Sequence, residues 1–195
     1  MSINVLVVSN LILATGYKGT AAAGQEIVAI DSLPNDPNPF LNYEYDSTSN
    51  SLVQRTAPLT HTAYYKMASA DPSTWNDIIA ADAAQTAYAA AIAAGCQIVS
   101  TATPALNGTY SITETSEIKI IGASTRIMKY GAFPGGASSL TWLDINNAPH
   151  TFTNITDFMN FADAVATYIS ELNAALGAGL AGGAWVAPAL PITIP

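Results

Sequence analysis

The chain has 195 residues, half of them apolar and only 10% charged, with 14 acidic against 6 basic side chains and a net charge of −8. That balance opposes binding to nucleic acid or to an anionic lipid surface, because a polyanion gains nothing from an acidic partner. The charged fraction lies well below the roughly 25% of an ordinary soluble domain, so much of the surface must be uncharged, which suits burial against neighbouring subunits.

The length admits two small domains, each able to bury a core. The first seventy residues read as short strands between turn residues, at 3–8, 11–14, 27–30, 41–45, 52–55 and 62–67. The apolar run at Val5 to Val8 follows no positive charge and is too short for a secretory signal or a membrane span. Gly16-Tyr17-Lys18-Gly19-Thr20 lacks the glycine spacing of a phosphate-binding loop and reads as a turn. Segments 41–45 and 52–55 are predicted to form a hairpin, because Asp46, Ser47, Thr48, Ser49 and Asn50 close turns through their side chains. Ahead of that hairpin, Pro34, Pro37 and Pro39 lack backbone donors and push their preceding residues toward extended conformations. That segment is predicted to be a loop or arm, and its prolines are candidate subunit contacts.

A helix follows, capped at Asp71 with Pro72 in its first turn and stopped by Gly95. Its inward stripe is expected to be Trp75, Ile78, Ile79, Ala83, Ala87, Ala90 and Ala91. A strand at 96–100 and a tight reversal at Asn107-Gly108 come next. A second helix is predicted over 113–130, with Ile118, Ile121 and Met128 on its buried side and Ile120 and Ile127 beside them. Lys119, Arg126 and Lys129 lie in its later part, where they complement the helix dipole. Gly122 costs that helix ~1 kcal/mol relative to Ala unless close packing needs it.

Strands at 140–143 and 150–152 read as a second hairpin. Asn154 or Thr156 then caps a final helix whose stripe is Phe158, Phe161, Ala162, Val165, Ile169, Leu172 and Leu176. The tail from Gly177 to Pro195 carries Trp185, Val186, Leu190, Ile192 and Ile194 and cannot cover itself. It either folds back on the domain or docks on another subunit. Docking is the expectation, with Trp185, Leu190, Ile192 and Ile194 as candidate contacts.

Residues that carry chemistry are sparse. Cys96 is the single cysteine, so an internal disulfide is excluded, and it reads as a buried strand residue with no neighbour to stabilise a thiolate. His61 and His150 stand in no metal-ligand spacing and read as structural. Trp75 and Trp142 fall in regular elements and read as core. Trp185, Tyr43 and Tyr45 are the aromatics expected to be exposed, and they are the candidates for stacking on a glycan. No catalytic, cofactor-binding or metal-binding residue is singled out.

One ordered set of phrases spans residues 96–172: Cys96-Gln97-Ile98-Val99-Ser100-Thr101, Ala105-Leu106-Asn107-Gly108-Thr109-Tyr110, Phe133-Pro134-Gly135-Gly136, Leu140-Thr141-Trp142-Leu143-Asp144 and His150-Thr151-Phe152, followed by the amphipathic helix. It resembles a short uncharacterised α/β domain of tail-fibre and fibre-associated proteins of tailed bacteriophages. The resemblance implies a virion setting and brings no catalytic or ligand-binding residue with it.

The combined expectation is an α+β chain in three parts. A β-rich virion-contact region covers 1–70, an α/β domain with its leading helix covers 71–176, and an extended docking tail covers 177–195. The expected role is that of a structural virion protein of the tail, made in the host cytoplasm, which associates with itself and with other virion proteins. It is expected to be no enzyme and to need no cofactor, nucleic acid or membrane. The alternative is a module of the tail that binds a host receptor or glycan. A polysaccharide hydrolase would need two carboxylates facing each other about 5 to 9.5 Å apart, which sequence spacing cannot place.

Overall fold

A computed structural model describes residues 3–8, 11–15, 25–30, 36, 38–49, 51–55, 58–69 and 74–195. The chain is an α+β protein that divides into two compact units, Met1–Asp82 and Ala83–Pro195.

In the first unit the apolar strands β1 (Ile3–Val8), β2 (Leu11–Thr15) and β3 (Glu26–Ile30) form an antiparallel sheet in the order β2-β1-β3. Val5 stands opposite both Thr15 and Val28, and the β1–β2 register shifts between Leu6 and Val7. A short helix, α1 (Pro39–Asn42), precedes the hairpin of β4 (Tyr43–Asp46) and β5 (Ser51–Gln54). The first strand of that hairpin therefore starts two residues later than expected. Its turn closes as the sequence implies, with Asp46 accepting from the Thr48 backbone N–H at 2.9 Å and from the Ser49 hydroxyl at 2.6 Å. Val7, Ile12, Val28 and Tyr45 make one core, with Phe40, Tyr43 and Leu52 packed against it.

The expected strand at 62–67 is instead a helix, α2 (His61–Ser69). Thr60 is the reason: its hydroxyl oxygen accepts from the Ala63 N–H at 3.1 Å, and its carbonyl accepts from the Tyr64 N–H at 3.0 Å. Such a cap outweighs the strand preference of the Thr and Tyr residues that follow. Ala63 and Met67, one helical turn apart, then pack with Leu11, Leu59 and Trp75 in a second core. The Trp75 indole N–H donates to the Met67 carbonyl at 2.9 Å.

Helix α3 (Trp75–Ala94) follows, and the division between the units falls within it. The proposed cap at Asp71 and Pro72 lies outside the described residues. In the first unit Ile79 is exposed; in the second unit the inward side chains of α3 are Ala84, Tyr88, Ala91 and Ile92, whereas Ala83 and Ala90 are exposed. Trp75, Ile78 and Ala91 of the predicted stripe pack inward as expected, whereas Ala83 and Ala90 give way to Ala84, Tyr88 and Ile92.

Strand β6 (Cys96–Ser100) is central in the order β10-β6-β7, antiparallel to β7 (Gly108–Tyr110) and parallel to β10 (Ile192–Ile194). Helix α4 (Glu114–Tyr130) ends at Gly131, whose φ of 65° is left-handed and whose N–H caps the Ile127 carbonyl. The hairpin of β8 (Leu140–Leu143) and β9 (Pro149–Phe152) follows. Helix α5 (Ile155–Leu180) is capped by Asn154, whose side chain accepts from the Thr156 N–H at 2.9 Å. Its Phe158, Phe161, Val165 and Leu172 fill the core with Ile98, Tyr110 and Phe152.

Helix α5 runs four residues past the predicted end at Leu176, through Gly177 and Gly179, to Leu180. The tail is likewise corrected at its end. Ile194 is 3% exposed, inside the core, and Thr101 donates its backbone N–H to the Ile194 carbonyl at 3.0 Å. Ile192 and Ile194, two of the residues predicted to dock on another subunit, instead complete this unit's own sheet, because an edge of β6 and the uncovered tail satisfy each other.

Candidate functional site

Helix α4 carries four exposed large apolar side chains, Ile118, Ile121, Met128 and Tyr130. The side of α4 that turns inward carries Ile120, Ala123, Ser124 and Ile127, and the small Ala123 and Ser124 allow a close approach to α5. The Ser124 hydroxyl donates to the Ile120 carbonyl at 2.9 Å, which satisfies it without a partner from elsewhere. The predicted buried side is right for Ile120 and Ile127, each 4% exposed, and wrong for Ile118, Ile121 and Met128, which are 63%, 56% and 69% exposed. Between α4 and α5 runs a groove of about 270 Å³, lined by Ile121, Thr125 and Met128 on one wall and Met159, Asp163 and Ala166 on the other. Its floor is apolar, and Glu117 and Asp163 stand at its rims. Such a surface can exclude water against an apolar partner.

A polar cluster sits elsewhere on the same unit, around His150 of β9. Its Nδ1 lies 2.8 Å from the Ala105 carbonyl, which can only accept, so Nδ1 carries a proton and donates there. Among the described residues Nε2 is buried without a hydrogen-bond partner, and Asp144 Oδ2 stands 3.6 Å away. The two side chains are 11% and 9% exposed. Asp144 accepts from the Ala148 and Asn146 backbone N–H groups, both at 2.8 Å. The Ala148 bond, helped by Asn146 and His150 and opposed by desolvation, holds the Asp144 carboxyl below the usual carboxylate range. A Cβ at Gly108 would come within 2.9 Å of His150 Nε2, and the Tyr110 ring lies 5.3 Å from the imidazole, so the ring is enclosed by its own strands. The arrangement fastens β9 to the turn before β7, a positioning role for His150.

Cys96 is fully buried, and burial pushes its thiol up to about 12, so it stays protonated and unreactive at neutral pH. Among the described residues, no group of three or more His, Cys, Asp or Glu side chains is placed to hold a metal ion, and no helix is long and apolar enough to cross a membrane.

A family model described as Domain of unknown function (DUF4376) matches residues 77–179. The chain belongs to that family. The DUF4376 match opens in α3 and closes at Gly179 of α5, so it contains the α4–α5 groove and the His150 cluster but stops short of β10. No curated protein and no solved structure matches the chain.

The candidates named from sequence fall in different places. Pro34 and Pro37 lie outside the described residues, and Pro39 opens α1 half-buried. Tyr43 and Tyr45, two residues apart on β4, both turn toward the first unit's core, and Tyr45 is 6% exposed. That corrects the expectation that the pair is open to solvent, since same-face residues of a strand share one environment. Trp185 is half-buried and meets the Tyr88 ring edge-on, with 6.5 Å between centroids. Ile192 is half-buried, Ile194 is in the core, and Leu190 remains exposed. The α4 surface was missed as a site because its residues had been allotted to the core. The signal was present in Ile118, Ile121, Thr125 and Met128, whose alternating spacing of three and four marks a helix seam between chains as readily as a core.

Proposed function

We propose that this protein is a non-catalytic structural component of a tailed bacteriophage particle, located in its tail and acting through contacts between subunits. The observation that carries this reading is the exposed apolar face of α4 beside the α4–α5 groove, on a chain with few charges. A monomer gains nothing from leaving Ile118, Ile121 and Met128 in water, whereas an assembly buries them. The resemblance of residues 96–172 to domains of tail-fibre and fibre-associated proteins supplies the particle setting. The enclosed His150 and the protonated Cys96 thiol favour scaffold over chemistry at both positions.

The glycan-binding alternative draws less support, since Tyr45 is buried and Tyr43 packs on the same core. Immunogold labelling of purified particles with antibody to this chain tests the proposal. Label at a fixed position on the tail is expected. Particles that stay unlabelled would overturn it, and label on the tail together with specific signal on a glycan array would replace the subunit-contact role with the receptor-binding reading.

A further inference from the structure

The outward stripe of α4 has a particular order. Glu114, Ile118, Gly122, Thr125 and Lys129 follow one another along it at helical spacing, with Ile121 and Met128 flanking on the groove side. An acid begins the stripe and a base ends it. Gly122, mid-helix and exposed, has nothing within 4 Å of where a Cβ would stand among the described residues, so packing within the unit does not account for it. A glycine in a helix interior is tolerated at the cost of helix stability and is useful where another backbone approaches closely.

We propose that α4 is a homotypic interface, on which a second copy of this chain lays its own α4 antiparallel about a two-fold axis near Ile121 and Gly122. This deepens the subunit-contact reading above and rests on it. In that register Glu114 of each copy lies opposite Lys129 of the other, and Ile118 lies opposite Thr125. The two Gly122 positions let the backbones close in, and Ile121 and Met128 of each copy enter the groove of the other. Opposite charges at the two ends select the antiparallel arrangement, which also sets the helix dipoles head to tail. Because the patch is self-complementary, the contact closes at two copies and does not propagate. Arg126 and Lys129 already lie over the Tyr130 ring, at 5.4 and 5.1 Å from its centroid, which limits the freedom the cations lose on pairing.

The test is solution mass of the full chain by light scattering and sedimentation, with circular dichroism as the control for folding. The wild type is expected at twice the chain mass of 20.2 kDa or an even multiple of it. Ile121→Glu, at an exposed position, is expected to halve that mass with the spectrum unchanged. Gly122→Ala is expected to raise the melting temperature at low concentration while weakening association at least tenfold, a combination that a merely destabilising change cannot give. Glu114→Lys and Lys129→Glu should each weaken association, and the double reversal should restore it. If the wild type associates but Ile121→Glu and the charge reversals leave its mass unchanged, the α4 interface is overturned while the subunit-contact reading stands. A wild type that is monomeric at every concentration overturns the homotypic interface and, with unlabelled particles, the broader reading too.

Discussion

Gly179 of α5 lies directly against Ala84 of α3: a Cβ placed on Gly179 would run into the Ala84 methyl group. Two helices meet there with only the Ala84 methyl group between them. Gly177, two residues earlier, has open space around it. Gly179→Ala is expected to cost about 1–3 kcal/mol through overpacking, more than helix propensity returns. Gly177→Ala should instead stabilise by up to ~1 kcal/mol, since the helix gains propensity and no clash. Chemical denaturation of the two variants checks the contrast in sign.

Ile194→Ala is expected to destabilise the second unit by about 2–4 kcal/mol, the cost of a cavity at a fully buried isoleucine. An Ile194 that docked only on another subunit would leave the stability of the isolated chain unchanged. Denaturant unfolding at low protein concentration separates these outcomes.

Asp144 makes stability depend on pH in the acid range. Its folded-state carboxyl is held below the ordinary value of 3.8 by the Ala148 N–H first and then by Asn146 and His150. A depressed carboxylate stabilises the fold above its unfolded pKa, and that contribution is lost as pH falls through the folded pKa. Asp144→Asn keeps the acceptor and removes the charge. Its stability gap from the wild type should therefore be widest above about pH 4 and should close below it, as followed by thermal unfolding across a pH series.

Gly108→Ala would push a methyl group toward His150 Nε2 and is expected to loosen β9 from the turn before β7, costing about 1–3 kcal/mol. His150→Ala should cost a similar amount, about 1–3 kcal/mol, because it empties the space the enclosed imidazole fills beside Tyr110 and removes the hydrogen bond to the Ala105 carbonyl. In a double-mutant cycle the two changes should be strongly non-additive, since they act on one contact.

Much of the second unit was legible in its sequence. Asn154 and the phenylalanine stripe of α5 are a cap followed by an unambiguous period, and β6 and the β8–β9 hairpin sit between clear turn residues. Helix α4 was legible as a helix but not in its orientation. Isoleucines at 118, 120, 121 and 127 ring much of its circumference, and the choice of face was made by Ala123 and Ser124, whose small size permits contact with α5. Helix α2 reads as a strand because Thr62, Tyr64 and Tyr65 favour strands locally, while the Thr60 cap acts from two residues before the 62–67 segment. The fate of Ile192 and Ile194 depended on pairing with β6, nearly a hundred residues earlier, which no local pattern encodes.

The central claim, a structural place in a phage tail, is tested most directly by quantitative mass spectrometry of gradient-purified particles from a lysate that expresses this chain. The account expects its peptides to co-sediment with the tail proteins at a fixed stoichiometry through successive gradients and a high-salt wash. Peptides found in the lysate but lost from washed particles would contradict it.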